Sequence, residues 1–91
     1  FCMIQRQITI INKLGLHARA AAKLVGVTSR HGCSIEIGSA GKMVDAKSIM
    51  SVMLLAAAKG TVLDLKVNGD GAQQAADEVS QLVNNYFDEG E

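Results

Sequence analysis

Apolar residues along this chain recur in two alternating rhythms, every second residue and then every third or fourth, with glycines marking most of the changes. The chain contains no proline, so Gly15, Gly32, Gly38, Gly41, Gly60, Gly69 and Gly71 do the punctuating and cut it into short pieces. Residues 4–11 read as a strand, with Ile8 and Ile10 on one face and Gln7 and Thr9 on the other. After an Asn12-to-Gly15 turn, Ala18 to about Ser29 reads as a helix. Its core face carries Ala21, Leu24, Val25 and Thr28, and Gly32 ends it. Cys33, Ile35 and Ile37 alternate with polar residues as a second strand. Gly38-Ser39-Ala40-Gly41 is a hairpin turn, and Met43-Val44 is a short returning strand. Ser48 to Leu55 forms a short helix, capped by Ser48 and closed by Lys59-Gly60. Leu63, Leu65 and Val67 mark a fourth strand, and Asn68 to Gly71 a turn. Ala72, Ala75, Ala76, Val79, Leu82, Val83 and Tyr86 then give the clearest amphipathic helix, with Asp77 and Glu78 early in it as the helix dipole favours. The acidic tail, Asp88 to Glu91, is expected to fray.

This βαββαβα order, with one polar face on each strand, predicts an antiparallel sheet with helices on one side only. The fold class is α+β, a two-layer sandwich, and the order also fits a ferredoxin-like split. Ninety-one residues support one domain, residues 1–91. Aromatic residues are only 3% of the chain, so the core must be aliphatic.

Charge and composition exclude several classes. Nine basic residues balance nine acidic ones, and the few aromatics offer no stacking platform, so nucleic acid is not an expected partner. No apolar run is long enough to span a bilayer. Cys2 and Cys33 make no disulfide framework, and with two histidines lacking ligand spacing they make a poor metal site. Cys33 reads as a small core residue. No metal or organic cofactor is implied. Met3 is expected as the natural first residue. With no leader at the start, a reducing cytoplasm is the expected setting.

The chemistry concentrates at Gly15-Leu16-His17-Ala18-Arg19. A histidine just past a glycine turn and just before a helix faces N–H groups with no intrahelical partner, and the positive end of the helix dipole. Two residues on, Arg19 supplies a fork of donors matched to phosphate oxygens. Neutral imidazole is a nucleophile near neutral pH, and its phosphoramidate can pass the group on. The same His17 reads equally as a surface or capping residue, and Gly15 as the positive-φ residue of a turn. Leu14 and Leu16 read as core or partner-facing. His31, beside Gly32 at a helix end, reads as structural. The helix after Ser48 is apolar nearly all round. Val52 and Leu55 are assigned to the core, leaving Ile49, Met50 and Met53 as an exposed patch suited to several partners.

Residues 12–25, Asn12-Lys13-Leu14-Gly15-Leu16-His17-Ala18-Arg19-Ala20-Ala21-Ala22-Lys23-Leu24-Val25, resemble the active-site segment of HPr, the histidine phosphocarrier family of the bacterial phosphotransferase system. Residues 47–53, Lys47-Ser48-Ile49-Met50-Ser51-Val52-Met53, resemble its regulatory serine segment, at the family's spacing from His17. The resemblance spans essentially the whole chain. It implies an open-faced β-sandwich, four antiparallel strands covered by three helices. It implies transient phosphorylation of His17 at Nδ1, with Arg19 stabilising the phosphate. The donor would be enzyme I, charged from phosphoenolpyruvate, and the acceptor an EIIA protein. HPr kinase/phosphorylase would act on Ser48, and Leu16, Ile49, Met50 and Met53 would meet partners. Such a protein is a phosphoryl-transfer intermediate rather than a turnover enzyme, and a monomer is expected. Ala20 departs from the pattern, since the family usually has proline there. The Asn12 to Gly15 stretch is similar to NPr, the nitrogen-related carrier, and the Ser48 segment to HPr proteins under kinase control. The reading leans to a regulatory or nitrogen-type carrier over one dedicated to sugar uptake.

A second reading is a non-carrier regulatory module of the same fold, acting through Ser48 and the Ile49/Met50/Met53 surface. Retention of His17 favours the carrier. A third, an unrelated ferredoxin-like enzyme or RNA-binding domain, needs a second catalytic residue or a basic aromatic face, and the sequence carries neither.

Overall fold

The computed structural model describes residues 3–39 and 41–88. Four strands, β1 (Met3–Thr9), β2 (Ser34–Ser39), β3 (Lys42–Asp45) and β4 (Val62–Asn68), form one antiparallel sheet in the order β1-β4-β2-β3. Three helices, α1 (Ala18–Thr28), α2 (Ile49–Leu54) and α3 (Ala72–Asn84), cover one face. The alternation read from the sequence decides that face. Ile8, Ile35, Ile37, Leu63, Leu65 and Val67 are buried beneath the helices. The register Gln7–Asp64–Gly38–Met43 and Gln5–Lys66–Glu36–Asp45 lines up the other face, which no helix covers. This is the expected βαββαβα open-faced sandwich.

β1 is a sheet edge and is also fastened from the helix side. Arg6 turns inward, and its guanidinium reaches Asp77 at 2.8 Å and Ser80 Oγ at 3.3 Å on α3. In α3 the expected face is buried from Ala72 through Val83, but the helix ends at Asn84. Tyr86, assigned to that face, is 38% exposed, and Phe87 fills the core instead at 0%. Positive φ at Tyr86, Phe87 and Asp88 turns the chain out of the helical path and swings the next ring inward. Asp77 and Glu78 fall beyond the first turn, and Gly71 caps α3 in a left-handed conformation with no side-chain bond. Residues 89–91 of the expected fraying tail lie outside the described residues, as do Cys2 and the Ala40 of the hairpin turn. Gly38 and Ser39, read as turn, extend β2 and pair with Met43 and Lys42.

Two helices end within a residue of the expected places, but not at the glycines expected to end them. α1 stops at Thr28, four residues before Gly32, because the Ser29, Arg30 and His31 N–H groups close back on Val25, Val27 and Thr28 carbonyls. α2 stops at Leu54. Ala56, at φ +49°, breaks it in place of Gly60, whose φ of +93° belongs to a separate turn. Val52 is fully buried and Leu55 packs against the core, as assigned. Two tethers run between the helices. The Thr28 hydroxyl, buried, donates to the Ala46 carbonyl at 2.8 Å just ahead of α2. The Leu16 N–H donates to the Ala57 carbonyl at 2.8 Å just behind it. The start of α1 therefore lies beside the end of α2, and the pair runs antiparallel. Among the described residues, no helix is long and apolar enough to cross a membrane.

Candidate functional site

The turn before α1 is built from the inside out. Asn12 is fully buried and donates from Nδ2 to the Gly15 carbonyl at 2.8 Å, while the Gly15 N–H returns to the Asn12 carbonyl at 3.1 Å. Gly15 is required twice over. Its φ is +71°, and a Cβ there would lie 2.6 Å from the Ala57 carbonyl oxygen. Leu16 then drops into the core at 4% exposure. The residues left it core or partner-facing and the resemblance placed it among the partner-binding residues; it is core. The bond from its N–H to Ala57 turns it inward, and Leu14 at 70% exposure takes the outward place.

His17 is the N-cap of α1, with extended backbone at φ −81° and ψ −178°. Its ring is half-buried, and its Nδ1 accepts the Arg19 N–H at 3.2 Å. An N-cap side chain normally offers an oxygen to the second or third N–H of the helix. Here imidazole does so, and the bond has a chemical consequence. The nitrogen that faces an N–H donor carries the lone pair, so the ring proton of the neutral form sits on Nε2. The first intrahelical bond is Ala21 N–H to the His17 carbonyl, at 2.8 Å. The N–H groups of Ala18 and Ala20 come before it and have no carbonyl behind them in the helix. Imidazole lone pair, unpaired helix N–H groups and positive dipole end thus converge on one spot, which suits an anion attached to Nδ1. Arg19 is exposed beside it. Ala20, where the resemblance implies proline, packs its methyl fully into the core.

Ser48 caps α2, its Oγ accepting the Ser51 N–H at 3.4 Å. Ile49 (41%), Met50 (72%) and Met53 (40%) are exposed as expected, and Leu54 (79%) joins them. Sequence reasoning missed Leu54 because the short helix gave too few turns to fix its face. The antiparallel pairing sets this patch next to His17 at its Met53–Leu54 end. Ser48 is at the far end, about 9 Å away along six residues of helix. His31 is structural: its Nε2 lies 3.1 Å from Glu78 on α3, and Lys47 Nζ donates to its carbonyl at 2.7 Å.

A second missed signal is where the charges fall. Lys13, Arg19, Lys23, Arg30, Lys47 and Lys59 all lie in residues 12–35 and 46–63, which contain no Asp or Glu. Those segments form the His17 turn, α1, α2 and their flanks. Glu36, Asp45 and Asp64 are on the strands' open side, and Asp70, Asp77, Glu78 and Asp88 on or around α3. Net neutrality conceals helix segments free of carboxylates, with Lys13, Arg19 and Lys59 near the His17 turn, Lys23 midway along α1, and Arg30 and Lys47 at the opposite end of the pair.

The comparisons with known proteins agree with this geometry. Residues 4–85 match the family model described as the PTS HPr component phosphorylation site. The chain is similar to phosphocarrier protein HPr of Pseudomonas putida, 58% identical over 98% of this chain and 100% of that one. Similarity to phosphocarrier protein NPr of Shewanella violacea is lower, 40% identical over 94% of each chain. Among solved structures, HPr from Thermoanaerobacter tengcongensis superposes with a TM-score of 0.90 at 37% identity, covering 94% of this chain and 97% of that one. With the match running from the first strand to the last helix, the chain belongs to the HPr family and is a phosphocarrier of the phosphotransferase system.

Proposed function

We propose that His17 is the phosphoryl acceptor, taking the group from phosphoenolpyruvate-charged enzyme I on Nδ1 and handing it to an EIIA protein. The observation that carries this reading is the Arg19 N–H bond to Nδ1, 3.2 Å long. It leaves the nucleophilic lone pair on the nitrogen that faces the helix end. Attack forms the N–P bond as the donor's bond to phosphorus breaks, with no proton having to leave Nδ1 first. The Arg19 N–H then passes from the nitrogen to a phosphoryl oxygen, and the guanidinium of Arg19 neutralises charge from outside. Ile49, Met50, Met53, Leu54 and the outward Leu14 form the apolar centre of the docking surface, with the carboxylate-free basic segments around it favouring acidic partners. The carrier acts as a single domain and a monomer in the cytoplasm. Ser48 is a regulatory site for a kinase of the HPr kinase/phosphorylase type.

Incubation with enzyme I and phosphoenolpyruvate is expected to raise the mass by one phosphoryl group. His17→Ala abolishes the gain. A His17→Ala protein that is still fully phosphorylated by this route would place the acceptor elsewhere.

A further inference from the structure

Residues 55–61 link α2 to β4, and they grip the turn that bears His17 at both ends. At its start, Leu16 N–H meets the Ala57 carbonyl at 2.8 Å, and the backbone of Gly15 lies so close that a Cβ would be 2.9 Å from Ala58 Cα. At its far end, Gly60 N–H meets the Ile10 carbonyl at 2.6 Å and Ile10 N–H the Thr61 carbonyl at 2.9 Å. The other end of the link is the last turn of α2, whose Met53 and Leu54 are 40% and 79% exposed. Ala56 joins the two. It carries a side chain at φ +49°, where glycine sits without cost and alanine does not. Such outliers persist where surrounding bonds over-determine them. Here they are the Ala56 N–H bond to the Met53 carbonyl at 3.1 Å on one side and the Leu16–Ala57 bond on the other.

We infer that Ala56 is a positioning residue: its left-handed turn stiffens a strut from the exposed end of α2 to the His17 turn, so that a partner seated on Met53 and Leu54 sets the orientation of the imidazole. Alanine has one narrow well at positive φ, whereas glycine ranges widely, so the methyl trades stability for rigidity. This rests on His17 as the acceptor.

The test compares Ala56→Gly and Ala56→Asn. Ala56→Gly is expected to keep or raise the thermal midpoint, keep KM for enzyme I, and lower kcat for transfer to His17 by about fivefold. In the unphosphorylated protein, it moves or broadens the His17 ring nitrogen and Arg19 amide resonances. Ala56→Asn keeps a side chain, tolerates positive φ and restores both readouts. Wild-type kcat and unmoved resonances in Ala56→Gly overturn the inference, as does an Ala56→Asn protein as slow as Ala56→Gly. If the wild-type chain takes no phosphate, the acceptor assignment fails, while the resonances still decide the strut.

Discussion

A single ring does two tasks at His17. It caps a helix through Nδ1, and the atom it caps with is the one proposed to take the phosphoryl group. The place of His17 at a helix start was legible beforehand, because a glycine turn followed by a good helix former marks one; the Nδ1 bond was not. The fate of Leu16 was not. Its burial depends on a carbonyl some forty positions further along the chain, and no local pattern announces such a partner. Thr28 is another residue whose task is visible only in three dimensions. It was read as one more position on the core face, yet its hydroxyl ties α1 to the Ala46 carbonyl at 2.8 Å with no exposure. Thr28→Val keeps the shape and leaves that carbonyl unpaired. We expect a loss of about 1–3 kcal/mol, read as a lower denaturant midpoint at unchanged m-value, with Thr28→Ser losing less. An unchanged midpoint for Thr28→Val would show that the tether carries no stability.

Among the elements, α2 is the most exposed to its surroundings. It has six residues, too few to be helical alone, and only Val52 is fully buried. The Ser48 cap, worth roughly 1 kcal/mol, therefore matters to it. Aspartate also caps well, and its charge suits a helix N-terminus. Ser48→Asp is thus expected to keep its helix content and thermal midpoint while raising KM for enzyme I about tenfold. Ser48 is at the end of α2 away from His17, so added charge acts on a docked partner rather than on the ring. Normal transfer to Ser48→Asp would sink the repulsion argument. The strands and the long helices were legible from their periodicity, and the element order follows from it. The element ends were less so. α2 ends where expected, at Leu54–Leu55, but an alanine in a left-handed conformation follows it where Gly60 was expected to close it. Tyr86 continued the helical rhythm on paper, but the chain leaves the helix first and buries Phe87.

For the molecule as a whole, the sheet order β1-β4-β2-β3 and the antiparallel α1–α2 pair bring the His17 turn and the exposed side of α2 together, on helix segments that carry basic residues and no carboxylates. The open strand face carries Glu36, Asp45 and Asp64 instead. An overall charge of zero gave no hint of this division, although the segmental distribution of charged residues was there to be read. The carrier function proposed for His17 requires Nδ1 to bear the phosphoryl group at the start of α1. The most direct measurement is 31P and 15N NMR of the uniformly 15N-labelled chain after incubation with enzyme I and phosphoenolpyruvate. The expected result is one phosphorus signal coupled to Nδ1 of His17, with the Arg19 amide proton shifted downfield as its partner changes from nitrogen to phosphoryl oxygen. Phosphorus coupled to Nε2, or carried by any other residue, would contradict it.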